Sequence, residues 1–156
     1  MNYDTLLNIL GLPLDDSLTK SILGALPETP EEAIAFEDRI HISYWQLGIC
    51  IFIEGPEKVV TAIFLFAAGR EGFAQFSGAL PFGLEFGVSI ADGLKKAGTP
   101  VRIRTLPVNP EASILKEYPF EKRTIHTYRI ADVYCSLTYG KENTLVDVAL
   151  ELPYDE

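Results

Sequence analysis

Two kinds of apolar spacing alternate along the chain. Leu6, Leu7, Ile9 and Leu10 cluster before Gly11 and predict a short helix over Asp4–Leu10 that the glycine ends. Leu18, Ile22 and Leu26 recur at helical spacing behind Asp16 or Ser17 as N-cap, and the pattern stops before Pro27 and Pro30. A third helix is predicted from Ser89, with Ile90 and Leu94 apolar. It closes on Lys95-Lys96-Ala97-Gly98, where the lysines offset exposed carbonyls and glycine takes positive φ easily. After the second and third helices the period drops to two. Strands are predicted at about 39–46, 48–54 and 58–66, and again at about 124–131, 133–139 and 144–152. GPEK (55–58) and GKEN (140–143) are hairpin turns.

The two sets match each other. An offset of 85 residues superposes both histidines, His41 on His126, and both cysteines, Cys50 on Cys135, and sets Arg39–Ala67 on Thr124–Leu152 without a gap. Ile40/Ile125, Gly55/Gly140, Glu57/Glu142 and Leu65/Leu150 are identical. An offset of 72 sets Gly11–Ala25 on Gly83–Ala97 and pairs Gly11 with Gly83, Ser17 with Ser89 and Ile22 with Leu94. A repeat of this kind decides architecture ahead of local detail. The expected fold is α+β: a tandem repeat of a helix plus a three-stranded antiparallel sheet, forming one larger curved sheet with helices on one face. The first repeat is expected over 1–67 and the second over 83–156. Residues 68–82 form an ordered linker, because Phe73, Phe76 and Phe82 would rarely be left in water.

The faces of the strands carry the main inference. The last strand of the second repeat alternates Val146, Val148 and Leu150 with Asp147, Ala149 and Glu151, so one face is core and the other meets water. The matching water-side positions of the first repeat are Val60, Ala62, Phe64 and Phe66. Its neighbouring strand offers Ile49, Ile51 and Ile53 where the second repeat has Tyr134, Ser136 and Thr138. The first repeat is thus expected to be apolar on both faces. The linker, the other repeat, a second copy of the chain or a partner protein must cover the extra face.

Composition narrows the function classes. In 156 residues, 47% hydrophobic and 11% aromatic, there is ample material for a packed interior, which excludes disorder. No apolar run approaches the ~20 residues of a membrane-spanning helix, and MNYDTLLNILGL lacks a secretory signal, so a cytoplasmic location is expected. Thirteen basic against 22 acidic residues give a net charge of −9, which argues against nucleic acid as partner. The acid concentrates in ETPEEAIAFED, read as a solvated loop or as a surface complementary to a basic protein, where charge accelerates encounter.

Candidate chemistry is sparse. There is no phosphate-cradling glycine loop, no GxSxG elbow and no HExxH. His41 and His126 fall mid-strand at equivalent positions, which points to packing rather than catalysis. Cys50 and Cys135 lie in separate repeats, so no disulfide between them is expected, and no metal or cofactor is expected either. Trp45 and the tyrosines at 44, 128, 134 and 139 suit binding better than catalysis, since aromatic rings give large contact area at low entropy cost.

The helix openings GLPLDDSLTKSILGALP and GLEFGVSIADGLKKAGTP, each followed by a three-strand block, resemble the tandem-repeat fold of beta-lactamase inhibitor protein and of the small outer-membrane assembly lipoproteins of the BamE/SmpA type. The central stretch GREGFAQFSGALPFGLEF is similar to segments of small cytoplasmic immunity proteins of bacterial toxin systems. The resemblance implies a concave sheet that grips a target through Trp45, Ile49, Ile51, Phe64, Tyr134, Asp147 and Glu151. Glu31, Glu32, Glu37 and Asp38 would stand at its rim. The expected function is a non-enzymatic inhibitor, an immunity protein that neutralises a cognate toxin, such as a basic nuclease-type domain, by occluding its active site. One alternative is a structural or assembly module making homodimer or higher homo-oligomer contacts through an apolar sheet face. Another is a small-molecule binder or enzyme using a cavity between sheet and linker.

Overall fold

Among the described residues, eight strands pair side by side in one antiparallel sheet, and three short α-helices lie against one of its faces. The computed structural model describes residues 1–36, 38–106 and 122–153. Helices α1 (Tyr3–Leu7) and α2 (Ser17–Gly24) precede strands β1 (Glu31–Phe36), β2 (Arg39–Tyr44), β3 (Ile49–Glu54) and β4 (Val59–Phe66). Helix α3 (Ile90–Ala97) precedes β5 (Arg102–Leu106), β6 (Arg123–Ile130), β7 (Val133–Tyr139) and β8 (Leu145–Glu151). The strand order is β1-β2-β3-β4-β8-β7-β6-β5, so two four-stranded meanders meet at β4 and β8. The fold is α+β, with sheet dominant.

Local chemistry explains the helices. The Asp16 carboxylate accepts from the Leu18 amide at 2.9 Å, and the Ser89 hydroxyl accepts from the Asp92 amide at 3.1 Å. Both are N-caps that satisfy amides a helix leaves without a carbonyl. Gly98 ends α3 with φ +83°, and the Tyr128 hydroxyl donates to its carbonyl at 3.0 Å, pinning that end to β6.

The face under the helices collects the branched residues: Ile42, Ile49, Ile51, Ile53, Val60, Ile63 and Leu65 from the first meander, Leu137, Leu145, Val148 and Leu150 from the second. Leu6 and Ile9 from the α1 region, Ile22 from α2 and Leu26 just beyond it close over them. Each such side chain contributes about 1.5–3 kcal/mol when buried, so the set that fits under the helices fixes the register. Val60 and Ile63 are three apart yet share this face, because the pairing with β3 skips Thr61 between Val60 and Ala62. The pairing of β8 with β7 skips Val146 in the same way. A bulge of one residue reverses which neighbours face inward.

Several expectations change here. Each meander has four strands, not three. The segment read as an acidic loop forms edge strand β1, and RIRTL forms edge strand β5. Within the first segment, the Glu28 carboxylate accepts from the Gln46 and Leu47 amides at 3.0 and 3.1 Å, so this acid secures the β2–β3 turn rather than simply hydrating. The offset of 85 does not preserve faces: His41 and Cys50 lie on the face away from the helices, His126 and Cys135 on the face beneath them. An error of one residue in strand alignment exchanges the faces of every side chain. By the same error Ile49, Ile51, Ile53 and Val60 were placed on the water side, whereas all four are buried under the helices.

Gly93 on α3 sits where a Cβ would collide with the Tyr139 hydroxyl, and that hydroxyl is buried with no hydrogen-bond partner among the described residues. Alanine within a helix otherwise gains up to about 1 kcal/mol over glycine. Overpacking costs about 1–3 kcal/mol, so the clash wins. Gly93→Ala alone should lower stability in urea titrations. Gly93→Ala with Tyr139→Phe should be at least as stable as the original chain. A double variant no more stable than Gly93→Ala alone would disprove this packing account.

Candidate functional site

The face of the sheet away from the helices has two unlike halves. On the first meander, His41 and Phe52 are direct cross-strand partners and stack with ring centres 3.9 Å apart and planes 6° off parallel. Phe52 pairs with Ala62, which leaves room for its ring to meet Phe64 diagonally at 4.6 Å. Phe64 and Phe66, two residues apart on β4, lie 6.2 Å apart. Phe66 then stacks on Phe73 at 4.3 Å, and Phe73 on Trp45 at 4.3 Å. Six rings thus cross the sheet in an unbroken row. The Arg39 guanidinium lies 5.5 Å from the Phe52 ring centre and pairs with Glu54 at 2.7 Å.

Phe73 arrives on a strap that leaves the end of β4. Glycine at 69 takes φ +82° and turns the chain back. The Ala74 amide donates to the Trp45 carbonyl at 2.8 Å and the Phe76 amide to the Phe66 carbonyl at 2.9 Å. The strap passes so close to the β2–β3 turn that a Cβ on Gly48 would strike the Ala74 carbonyl and the Phe76 amide. Phe73 and Phe76 are buried on opposite sides of the sheet, and Phe82 is half-buried. Phe66, Phe73 and Cys50 are closed off by this arrangement, while His41, Phe52 and Phe64 stay half-buried.

On the second meander the same face is polar. Thr127 and Ser136 hydroxyls bond at 3.0 Å, and the Arg129 guanidinium lies 5.2 Å from the Tyr134 ring centre. Arg70, from the strap, donates from Nε to Asp147 Oδ2 at 3.1 Å, with both side chains only 11% exposed. Burial holds the Asp147 carboxyl above the usual aspartate value despite the attraction of Arg70 and the hydrogen bonds from Thr138 and Arg70. Burial also raises Glu151, against the pull of Arg104 and Arg102.

Of the residues singled out from sequence, six reach this side, Glu31 among them. Phe64, Tyr134 and Glu151 are half-buried on the outer face, and Tyr134 and Glu151 are direct strand partners. Asp147 is there but enclosed and engaged by Arg70. Trp45, half-buried in the β2–β3 turn, is stacked against Phe73. Ile49 and Ile51 are on the opposite face, under the helices, and cannot touch a partner. Glu31 faces outward on β1, Glu32 points to the helix side, Asp38 is exposed in the following turn, and Glu37 lies outside the described residues. Missed from the sequence were Phe52, His41 and Arg70. The alternation of isoleucines with Cys50 and Phe52 along β3 carried the first signal, and a lone arginine in an apolar linker the last.

Reactive chemistry is muted. Burial lowers His41, helped by Arg39, and lowers His126, so both imidazoles favour the neutral form. Both thiols are free and buried, with Cys135 pushed up to about 12, far from the thiolate a nucleophile needs. Among the described residues no group of three or more His, Cys, Asp or Glu side chains is placed to hold a metal ion. Two open depressions of about 460 and 580 Å³ are lined by 75–80 with 83–86, and by Pro13, Leu14, Asp15, Lys20 and 56–58; neither is lined by a histidine. No helix among the described residues is long and apolar enough to cross a membrane.

No family model and no curated protein matches the chain. Among solved structures it is similar to a DUF4309 family protein, YjgB, from Bacillus subtilis, with a TM-score of 0.55 and 16% identity over 97% of this chain and 93% of that one. It is also similar to a cysteine-rich secretory protein from Staphylococcus aureus, with a TM-score of 0.52 and 6% identity over 93% of this chain but 44% of the other. At such identities the likeness is one of fold alone.

The Arg70–Asp147 pair fastens the strap across the junction of the meanders. Removing one member of a buried pair leaves an uncompensated charge, at a cost of about 3 kcal/mol. A raised Asp147 holds its proton to higher pH in the folded chain than in the unfolded one. Its contribution is therefore fullest below the ordinary aspartate value and declines as pH rises through the window above it. Arg70→Met should accordingly lose about 3 kcal/mol near pH 7 and distinctly less near pH 4, where a neutral Asp147 needs no cation. Denaturant titration at the two pH values checks this, and an equal loss at both would refute it.

Proposed function

We propose that the chain is a non-enzymatic protein inhibitor that docks a basic partner on the outer face of its sheet, acting as an immunity protein against a bacterial toxin in the cytoplasm. The observation that supports this most is the half-buried row His41, Phe52 and Phe64, anchored at one end by the closed Phe66–Phe73–Trp45 stack. A rigid aromatic strip gives contact area without side-chain ordering cost. The net charge of −9 would steer a basic domain toward it. Occlusion of the toxin's active site needs an interface of roughly 1,600 Å² around such anchors.

The scaffold reading that goes with this is a duplicated unit. Equivalent bonds support it: the Gly11 amide donates to the Val60 carbonyl at 2.8 Å and the Gly87 amide to the Leu145 carbonyl at 3.0 Å, with φ of +90° and +91° at the two glycines. Isolated bridges Pro13–Val59 and Ser89–Thr144 follow the same correspondence. On this alignment Gly11 answers to Gly87 rather than Gly83. Phe64 pairs across the junction with Ala149, its own counterpart at the offset of 85, so a pseudo-two-fold axis would pass between them.

Co-expression with the toxin domain encoded beside its gene should restore growth, and the two proteins should co-purify. Phe64→Ala should weaken that complex about thirtyfold, the effect of losing a central anchor worth ~2 kcal/mol. Tight binding untouched by Phe64→Ala and Phe52→Ala would move the interface elsewhere. Absence of both rescue and co-purification would remove the immunity reading.

A further inference from the structure

Among the described residues β1 and β5 are the two edges of the sheet, and they are chemically complementary. Edge strand β1 presents Glu31 and Ala33 on the outer face and Glu32 and Ile34 on the helix side, as their pairing with Ser43, His41, Ile42 and Ile40 requires. Edge strand β5 presents Arg102 and Arg104 on the outer face and Ile103 on the helix side, with Val101 just before it in the same phase. Ile34 is 79% exposed, Val101 62% and Ile103 58%, the most exposed large apolar residues among those described. An edge strand also carries a row of backbone groups without strand partners, a template for another strand.

Strand direction decides which edges can meet. Eight strands alternating in direction make β5 antiparallel to β1. A second copy placed beside the first with the same face upward therefore brings β5 against β1 in antiparallel sense, with outer face next to outer face. In one register Glu31 then stands opposite Arg104 while Ile34 stands opposite Val101. Acid meets base at Glu31–Arg104 on the outer side and apolar meets apolar at Ile34–Val101 on the helix side, while Ala33 stands opposite Arg102 and Glu32 opposite Ile103. Pairing like edges centred on Glu32 would oppose Glu32 to Glu32, and centred on Ile103 would oppose Arg102 to Arg104, both destabilising.

We propose that copies of this chain associate head to tail, β1 of one adding to β5 of the next in the register Glu31–Arg104 and Ile34–Val101. The contact is heterologous, so it propagates rather than closing at a dimer unless the rotation per copy completes a ring. Its ladder is short, since the bulge between Ile34 and Phe36 ends regular pairing at Ile34, and a contact well under ~1,200 Å² is weak and concentration-dependent. It uses the sheet edges and leaves the outer face free, so it stands apart from the inhibitor reading.

Sedimentation velocity of the full chain from micromolar to millimolar concentration reads this directly. The original chain should show mass rising with concentration. Glu31→Lys and Arg104→Glu, both at exposed positions, should each shift the midpoint about tenfold upward in concentration. An equimolar mixture of the two should recover association, because each reversed edge then meets its complement. Circular dichroism would confirm that both fold, and Val101→Lys, equally disruptive, substitutes for either that does not. A chain monomeric throughout, association indifferent to these substitutions, or a mixture no better than its components would overturn the proposal.

Discussion

The five-residue antiparallel seam between β4 and β8 is the contact on which the rest depends. Ala62–Phe66 pairs with Asp147–Glu151, and through it two four-stranded meanders become one sheet. The seam places Ile63 beside Leu150 and Leu65 beside Val148 beneath the helices, at the centre of the core. On the other face it sets Phe66 beside Asp147, the boundary between the aromatic and polar halves. Neither half could bury its inner strand without the other, because an unpaired β4 or β8 would leave amides and carbonyls unsatisfied in an apolar setting.

The strap follows from that seam. Phe66 and Cys50 form an apolar surface on the side away from the helices, which a monomer does not leave open. Phe73 covers it from one end, and Arg70 crosses to Asp147 on the neighbouring meander. One short connection thus closes the first half of the outer face while satisfying the buried acid of the second. The same asymmetry leaves His41, Phe52 and Phe64 partly accessible.

Much of the fold was legible in the sequence. Six strands, the turn glycines and the caps Asp16 and Ser89 were read from period, turn chemistry and capping residues. The two edge strands were not, because each borders only one neighbour. EEAIAF carried charge where a strand is usually apolar, although RIRTL alternates plainly. The faces were misread for a sharper reason. The offset of 85 that superposes the two histidines and the two cysteines sets residues of opposite faces on one another in β2 and β3. Ile42 and Ile49 are buried beneath the helices, as are His126 and Cys135. Rare residues that coincide attract the eye, whereas burial obeys side-chain volume and phase. The outer-face row was missed with them, since Phe52 seemed to belong inside.

The seam also bears on synthesis. Its first strand is complete by residue 66 and its second begins only after residue 145, so β4 emerges from the ribosome long before its neighbour exists. Through that interval Phe64, Phe66 and the isoleucines of β3 form a nascent hairpin with one naked side, prone to adhere to other exposed strands. Chaperone dependence, and aggregation of prematurely terminated chains, are the cellular signature of a sheet whose middle is joined last.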